Sequence, residues 1–351
     1  MAPTKRSTRS DSTITSDTHE QTLAETPQTS LSVTEKMDEV AQGATSSTGR
    51  KLPCAAQFPL TAALSFALSG LGSVVMSQVS RGELQSLTRG WGSWQEVAVL
   101  TSWRLAELAL AWYGKLDCLE AASMNVLAHG PVIFLLSAFY GLSSTSAILA
   151  LVIDVLSIAV PFYLVLPLSR ADGSALRNSN REMLDMPMQI LTSLLSTGIY
   201  TVTLVLSLRF LLPRILVLYF RGLPTLEPAY SASYTDVLPV TLVFGLAASK
   251  FIFAPFATTG KAKEDAKIEE FDPVNASLGQ TVEWNFWGYT AKTKVVIRRT
   301  IGAALLTGVG TFVGCSYRMH GVEAAGAAAY ASVWVASVVL TGVGLGFVGG
   351  E

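Results

Sequence analysis

Charge is what this sequence has least of. Only 15% of its 351 residues are Asp, Glu, Lys or Arg, against ~25% in an average soluble domain, while half are apolar. The shortage is uneven. Residues 1–51 hold 13 of the 51 charged side chains, so 38 remain for the other 300 residues. So few charges cannot cover the surface of a water-soluble protein of this size, which excludes a chain of two or three ordinary soluble domains. Cysteine is scarce too. Cys54, Cys118 and Cys315 are an odd set without CxxC spacing, which excludes a disulfide framework and a zinc pattern. Histidine is limited to His19, His129 and His320, and no two share metal-ligand spacing. There is no P-loop, no GxSxG, no GxGxxG opening a helix and no paired Asp-rich motif. No catalytic residue is identified, no cofactor or metal is expected, and a non-enzymatic role is the expectation. The net charge of −1 gives no reason to expect nucleic acid as a partner.

What the chain does have is long apolar runs. A bilayer core of ~30 Å needs ~20 mostly apolar helical residues. Gln57–Ser80 meets that length without a charge, and this first apolar segment is itself the expected targeting signal. Met124–Gly141 and Ser144–Leu168 follow as a tight hairpin, the second carrying only Asp154. Met188–Leu212, Asp236–Ala257, Ile301–Cys315 and Ala324–Gly349 complete seven spans, with Arg209 and Lys250 near enough to span ends to snorkel. The expected fold class is an all-α polytopic membrane helix bundle, with the lipid bilayer as its first partner.

Trp94–Tyr113 decides whether the count is eight or seven. It is apolar but carries Glu96, Arg104 and Glu107. At about 100° per residue, Arg104 lies about 80° and Glu107 about 20° from Glu96, so the three charges form one stripe. Such a segment is either an interfacial amphipathic helix or a span whose charges face the bundle interior. The positive-inside rule favours eight. Lys261–Arg299 contains seven basic residues and should be cytosolic. With eight spans, 17 Lys/Arg fall inside and five outside, and both termini are expected in the cytosol.

Residues 1–51 are expected to be a disordered cytosolic tail, because 19 Ser or Thr and almost no large apolar residues cannot offset the ordering entropy. Residues 52–351 are then the transmembrane bundle, with a cytosolic loop at 258–299. That loop ends in aromatic Trp284, Phe286, Trp287 and Tyr289 just before Lys292, Lys294, Arg298 and Arg299, a pattern suited to the headgroup level. GxxxG spacings at Gly310–Gly314 and Gly342–Gly346 point to close packing within the bundle.

Ionisable residues at membrane depth are costly and are the candidate site: Asp154, Arg104, Glu107 and His129, the last in a His129-Gly130-Pro131 step expected to interrupt its helix near the start. Asp154 is expected to face the bundle interior near the Arg104/Glu107 stripe. Arg104 and Glu107 can pair at i, i+3. The cluster fits either a buried bridge that fixes helix register or part of a pathway for a small solute or ion.

Several blocks carry a resemblance: WRLAELALAWYGKLDCLEAAS (103–123), HGPVIFLLSAFYG (129–141), IDVLSIAVPF (153–162), DMPMQILTSLL (185–195), WNFWGYTAKTKVVIRRT (284–300) and GVEAAGAAAYASVWVA (321–336). Over roughly residues 57–350 the chain resembles a family of uncharacterised multi-pass integral membrane proteins of filamentous fungi. That family has no assigned activity, so the resemblance implies the membrane class and a fungal origin but no site residue. Three functional readings stand: a non-enzymatic membrane protein acting as a scaffold, a transporter or channel using Asp154, Arg104 and Glu107, and a small membrane-embedded enzyme.

Overall fold

In the computed structural model the described residues are 54–80, 84, 87–88, 90, 93–169, 186–257 and 276–349. The tail at 1–51 and the first part of the loop, 258–275, lie outside them. The described residues form an all-α bundle of ten helices and a few short turns. They are α1 (Cys54–Val79), α2 (Trp94–Tyr113), α3 (Cys118–Phe139), α4 (Ser144–Ser169), α5 (Met186–Phe210), α6 (Leu212–Tyr219), α7 (Tyr234–Ala248), α8 (Leu278–Trp287), α9 (Ala291–Val313) and α10 (Ala324–Gly349). Short π-helical stretches extend α7 through Ser249–Phe253 and α9 through Gly314–Arg318. Seven of these helices are long and apolar enough to cross a membrane: α1, α3, α4, α5, α7, α9 and α10. The chain is a multi-pass membrane protein.

Two boundaries differ from the sequence expectation. Helix α9 starts at Ala291, ten residues before Ile301, because Thr290 caps it by accepting from the Thr293 N–H and long basic side chains are tolerated on its first turns. Helix α3 runs unbroken from Cys118, so His129-Gly130-Pro131 lies in mid-helix and does not interrupt it. The Asp117–Glu120 capping box starts that helix early. On its Pro131 side the helix is braced by Tyr330, whose hydroxyl donates to the Pro131 carbonyl at 2.7 Å.

The core lies between α3, α5, α7 and α10. Phe244 stacks near Tyr200 at 5.7 Å and meets Trp334 at 4.6 Å, and Trp334 is edge-on to Phe134 and Tyr330. Small residues let these helices close. A Cβ on Gly310 would stand 2.9 Å from the Ala128 carbonyl, and one on Gly245 would stand 2.5 Å from the Thr197 nitrogen. Beside Gly245 the α5–α7 contact is lined by hydroxyls: Thr201 meets Thr241 at 2.7 Å and Thr192 meets Ser249 at 3.1 Å. In lipid, close backbone approach and such interhelical bonds hold helices together where water would use the hydrophobic effect.

Helices α1, α2 and α4 form one flank. Phe58 of α1 meets Trp112 and Tyr113 at the end of α2, with ring centroids at 6.3 and 5.9 Å. Farther along α1, Phe66, Ser69 and Ser73 face Glu96, Leu100 and Arg104 across a shared cavity. The two helices therefore run antiparallel, from Phe58 to Ser73, over about 22 Å at 1.5 Å per residue. Trp112 also packs edge-on against Phe162 of α4 at 6.0 Å.

Candidate functional site

The charged stripe of α2 turns inward. Glu107 is 1% exposed, whereas Trp94, Leu110 and Tyr113 of the same helix are more than half exposed. That is the reverse of a helix lying on a membrane surface, which would show its charges to water and bury its apolar residues. The burial is possible because Arg104 and Glu107 pair with each other and find partners on α3 and α4.

Arg104 is at the centre. Its Nη1 donates to Asn125 Oδ1 of α3 at 3.0 Å and lies 3.4 Å from Glu107 Oε2. Its Nη2 donates to the Ser157 hydroxyl of α4, which in turn donates to the Asp154 carbonyl at 2.7 Å. Glu107 Oε2 also lies 3.1 Å from His129 Nε2. Arg104 and Glu107 cancel in charge, so with a neutral imidazole the cluster is neutral, which removes most of the penalty of an ion at this depth. Helix geometry sets the constellation. Asn125 and His129 are four residues apart and so project from one face of α3, while Arg104 and Glu107 do the same from α2 at a spacing of three.

The cluster is not fully satisfied. Among the described residues, Glu107 Oε1 and Asn125 Nδ2 are buried with no hydrogen-bond partner. Unpaired buried polar atoms cost on the order of 1–3 kcal/mol each.

A cavity of about 420 Å³ opens beside the cluster, between α1, α2 and α4 and the π-helical end of α9. Arg104, Glu96, Asp154 and Arg318 supply its charges, and Ser69, Ser73 and Thr101 supply hydroxyls. A second cavity of about 160 Å³ shares Ser69, Ser73, Asp154 and Arg318 with it and is lined by His129. The Asp154 carboxylate makes no hydrogen bond or ion pair among the described residues, although it lines both spaces. Arg104, Glu107 and His129 are thus joined by direct contacts, and Asp154 joins them through the cavity wall.

Sequence reasoning missed Asn125, Ser157 and Arg318. The i, i+4 pair of Asn125 and His129 on an apolar helix was a readable signal. Ser157 gave none, since serine is ordinary in membrane helices. Also missed was a second buried pair, Arg299 with Glu120 at 3.4 Å, which ties the start of α9 to the start of α3 while the guanidinium lies 5.1 Å over Phe251. Arg209 and Lys250 are held, rather than free to snorkel. Arg209 donates twice to the Ala232 carbonyl, and Lys250 donates to the Gln189 side-chain oxygen. Among the described residues no group of three or more His, Cys, Asp or Glu is placed to hold a metal ion. In comparisons with protein-family models, curated proteins and solved structures, nothing matches this chain.

Proposed function

We propose that this multi-pass membrane protein is a carrier for a small zwitterionic solute, bound between α1, α2 and α4. The observation that supports it is the polar cavity of about 420 Å³, within the ~300–1,000 Å³ common for small-molecule sites. Its lining brings together two arginines, Arg104 and Arg318, and two acidic residues, Glu96 and Asp154. A solute bearing one charge of each sign would complement that wall and would find Asp154 without a competing partner among the described residues. In this reading Arg104, Glu107 and His129 form the closed end of the path, and α2 crosses the membrane as an eighth span. The 22 Å antiparallel run along α1 supports that crossing, as does the inward charge of α2. Eight crossings with the basic loops in the cytosol put both termini on the cytosolic side.

A scaffold reading competes, in which the same cluster only fixes helix register. The two separate at Asp154. The test is thermal melting of the full-length protein in nanodiscs against a panel of small zwitterions, anions and cations, followed by flux assays in proteoliposomes with any solute that raises the melting temperature. Asp154→Asn should melt within about 2 °C of the parent and lose the response to the zwitterion. If no solute stabilises the parent and Asp154→Asn lowers the melting temperature instead, the carrier reading is wrong and the register-lock reading stands.

A further inference from the structure

His129 lies half-way along α3 and turns Nε2 toward Glu107 Oε2 of α2 at 3.1 Å. The same residue lines the cavity of about 160 Å³ that Asp154 of α4 and Arg318 also line. Its backbone is held firmly. Tyr330 donates to the Pro131 carbonyl at 2.7 Å, and Gly310 and Gly314 pack closely against Ala128 and Val132. Histidine is the side chain that ordinarily gains and loses a proton near neutral pH. With Nε2–H donated to the ionised Glu107, Nδ1 keeps a lone pair and makes no hydrogen bond among the described residues. A proton from water entering the cavity can add there. The product is an imidazolium still bonded to the Glu107 carboxylate, and no other bond changes.

The charges that would feel this proton come from three sides. Helix α2 presents Arg104 and Glu107, with Glu96 on the larger cavity, and α4 presents Asp154. The π-helical end of α9 presents Arg318, which also acts electrostatically on Glu107. Helix α1 contributes hydroxyls and no charge, and α7 and α10 meet this stretch of α3 through Phe244 and Tyr330. Arg81, Glu83 and Arg89, between α1 and α2, lie outside the described residues. Among the described residues Asp154 is the one carboxylate lining the small cavity. A protonated His129 beside Arg318 would put two cations on that wall and leave little attraction for a third. Like charges ~7 Å apart, roughly the width of such a space, weaken binding at least about tenfold at an effective dielectric constant of ~20.

We propose that His129, held against Glu107, is a proton-binding site, and that its proton and the cationic end of the solute exclude one another at Asp154, so that the carrier exchanges solute for protons. By reciprocity, bound solute lowers the affinity for the proton by the factor by which the proton lowers the affinity for solute. The exchange rests on the carrier reading; the proton site does not.

The test is an NMR titration of the full-length protein in nanodiscs, with nitrogen-15-labelled imidazoles followed between about pH 5 and 9. The signal lost in His129→Gln, which keeps a donor toward Glu107, identifies the site. His129 should take up one proton in that range. Asp154→Asn should lower its affinity for the proton about tenfold, the effect of removing one nearby opposite charge, while the signal of the exposed His320 stays the same. Any zwitterion that stabilises the parent should release about one proton on binding, read by calorimetry in two buffers of different ionisation enthalpy. A His129 that keeps one charge state throughout, an affinity unmoved by Asp154→Asn, or proton uptake when solute binds would each overturn the proposal. If His129 titrates as described and no solute binds, the carrier reading and the exchange fall together and the proton site stands.

Discussion

Arg104 carries a permanent charge half-way along α2, and its surroundings determine what each neighbour is worth. Breaking a buried pair by removing one member costs about 3–5 kcal/mol, because the survivor is left uncompensated, whereas removing both is often neutral. Glu107→Ala should therefore destabilise the detergent-solubilised protein by about 3 kcal/mol in an SDS unfolding titration, and Arg104→Met/Glu107→Leu should recover most of that loss. Failure of the double variant to recover would mean that Asn125, Ser157 and His129 depend on Arg104 for their own satisfaction. Glu120→Ala removes both the ion pair to Arg299 and the capping box that starts α3, and should cost a comparable amount. The charged half of this site was legible in the sequence. A residue with a full charge inside an apolar run carries its own signal, and the i, i+3 pair of Arg104 and Glu107 followed from one helical period. The neutral half was not legible. Asn125 and Ser157 are recruited by tertiary placement of α3 and α4, which no local spacing reports.

At the scale of the helix, length and apolarity fixed most of what the chain could form. Trp94–Tyr113 and Ala324–Gly349 have the boundaries expected from composition and punctuation alone, and the start of α9 is the main departure. Which helices pair is a different matter. The α5–α7 contact depends on Gly245 and a row of hydroxyls whose spacing is common in membrane helices and therefore carries little information beforehand. The structure makes that contact specific. A valine at Gly245 would put its Cβ against the Thr197 backbone, which cannot rotate away as a side chain could. Gly245→Val should force the two helices apart, with a loss of at least about 2 kcal/mol in the same titration. Thr201→Val, which removes one bond to Thr241 and keeps the shape, should cost about 0.6 kcal/mol, the mean for such bonds between membrane helices. Reversal of that order would place the strength of the contact in its hydroxyls rather than in its closeness.

For the molecule as a whole, the two halves of the bundle carry different burdens. Helices α3, α5, α7 and α10 enclose the aromatic core, while α1, α2 and α4 enclose polar space. Composition alone separates these only weakly, since seven helices are long and apolar enough to cross a membrane and α2 is less apolar because of the charges it turns inward. If α2 did not cross, its Phe58-facing end and its Ser73-facing end would have to lie at one depth, although the ring contact with Phe58 and the cavity shared with Ser73 are separated by about 22 Å along a membrane-length helix. In the proposed eight-span reading, crossing accommodates both and makes the number of spans even. A reporter placed before Met1 and another after Glu351 should therefore both be protected from externally added protease in intact cells, and a cysteine at Tyr317 beside the polar cavity should react with an impermeant maleimide from outside. The basic residues that flank the opposite ends of the spans supply the direction, at about 1 kcal/mol each near an anionic leaflet. An accessible N-terminus combined with a protected C-terminus would leave an odd number of crossings, and α2 would then be the helix that fails to span.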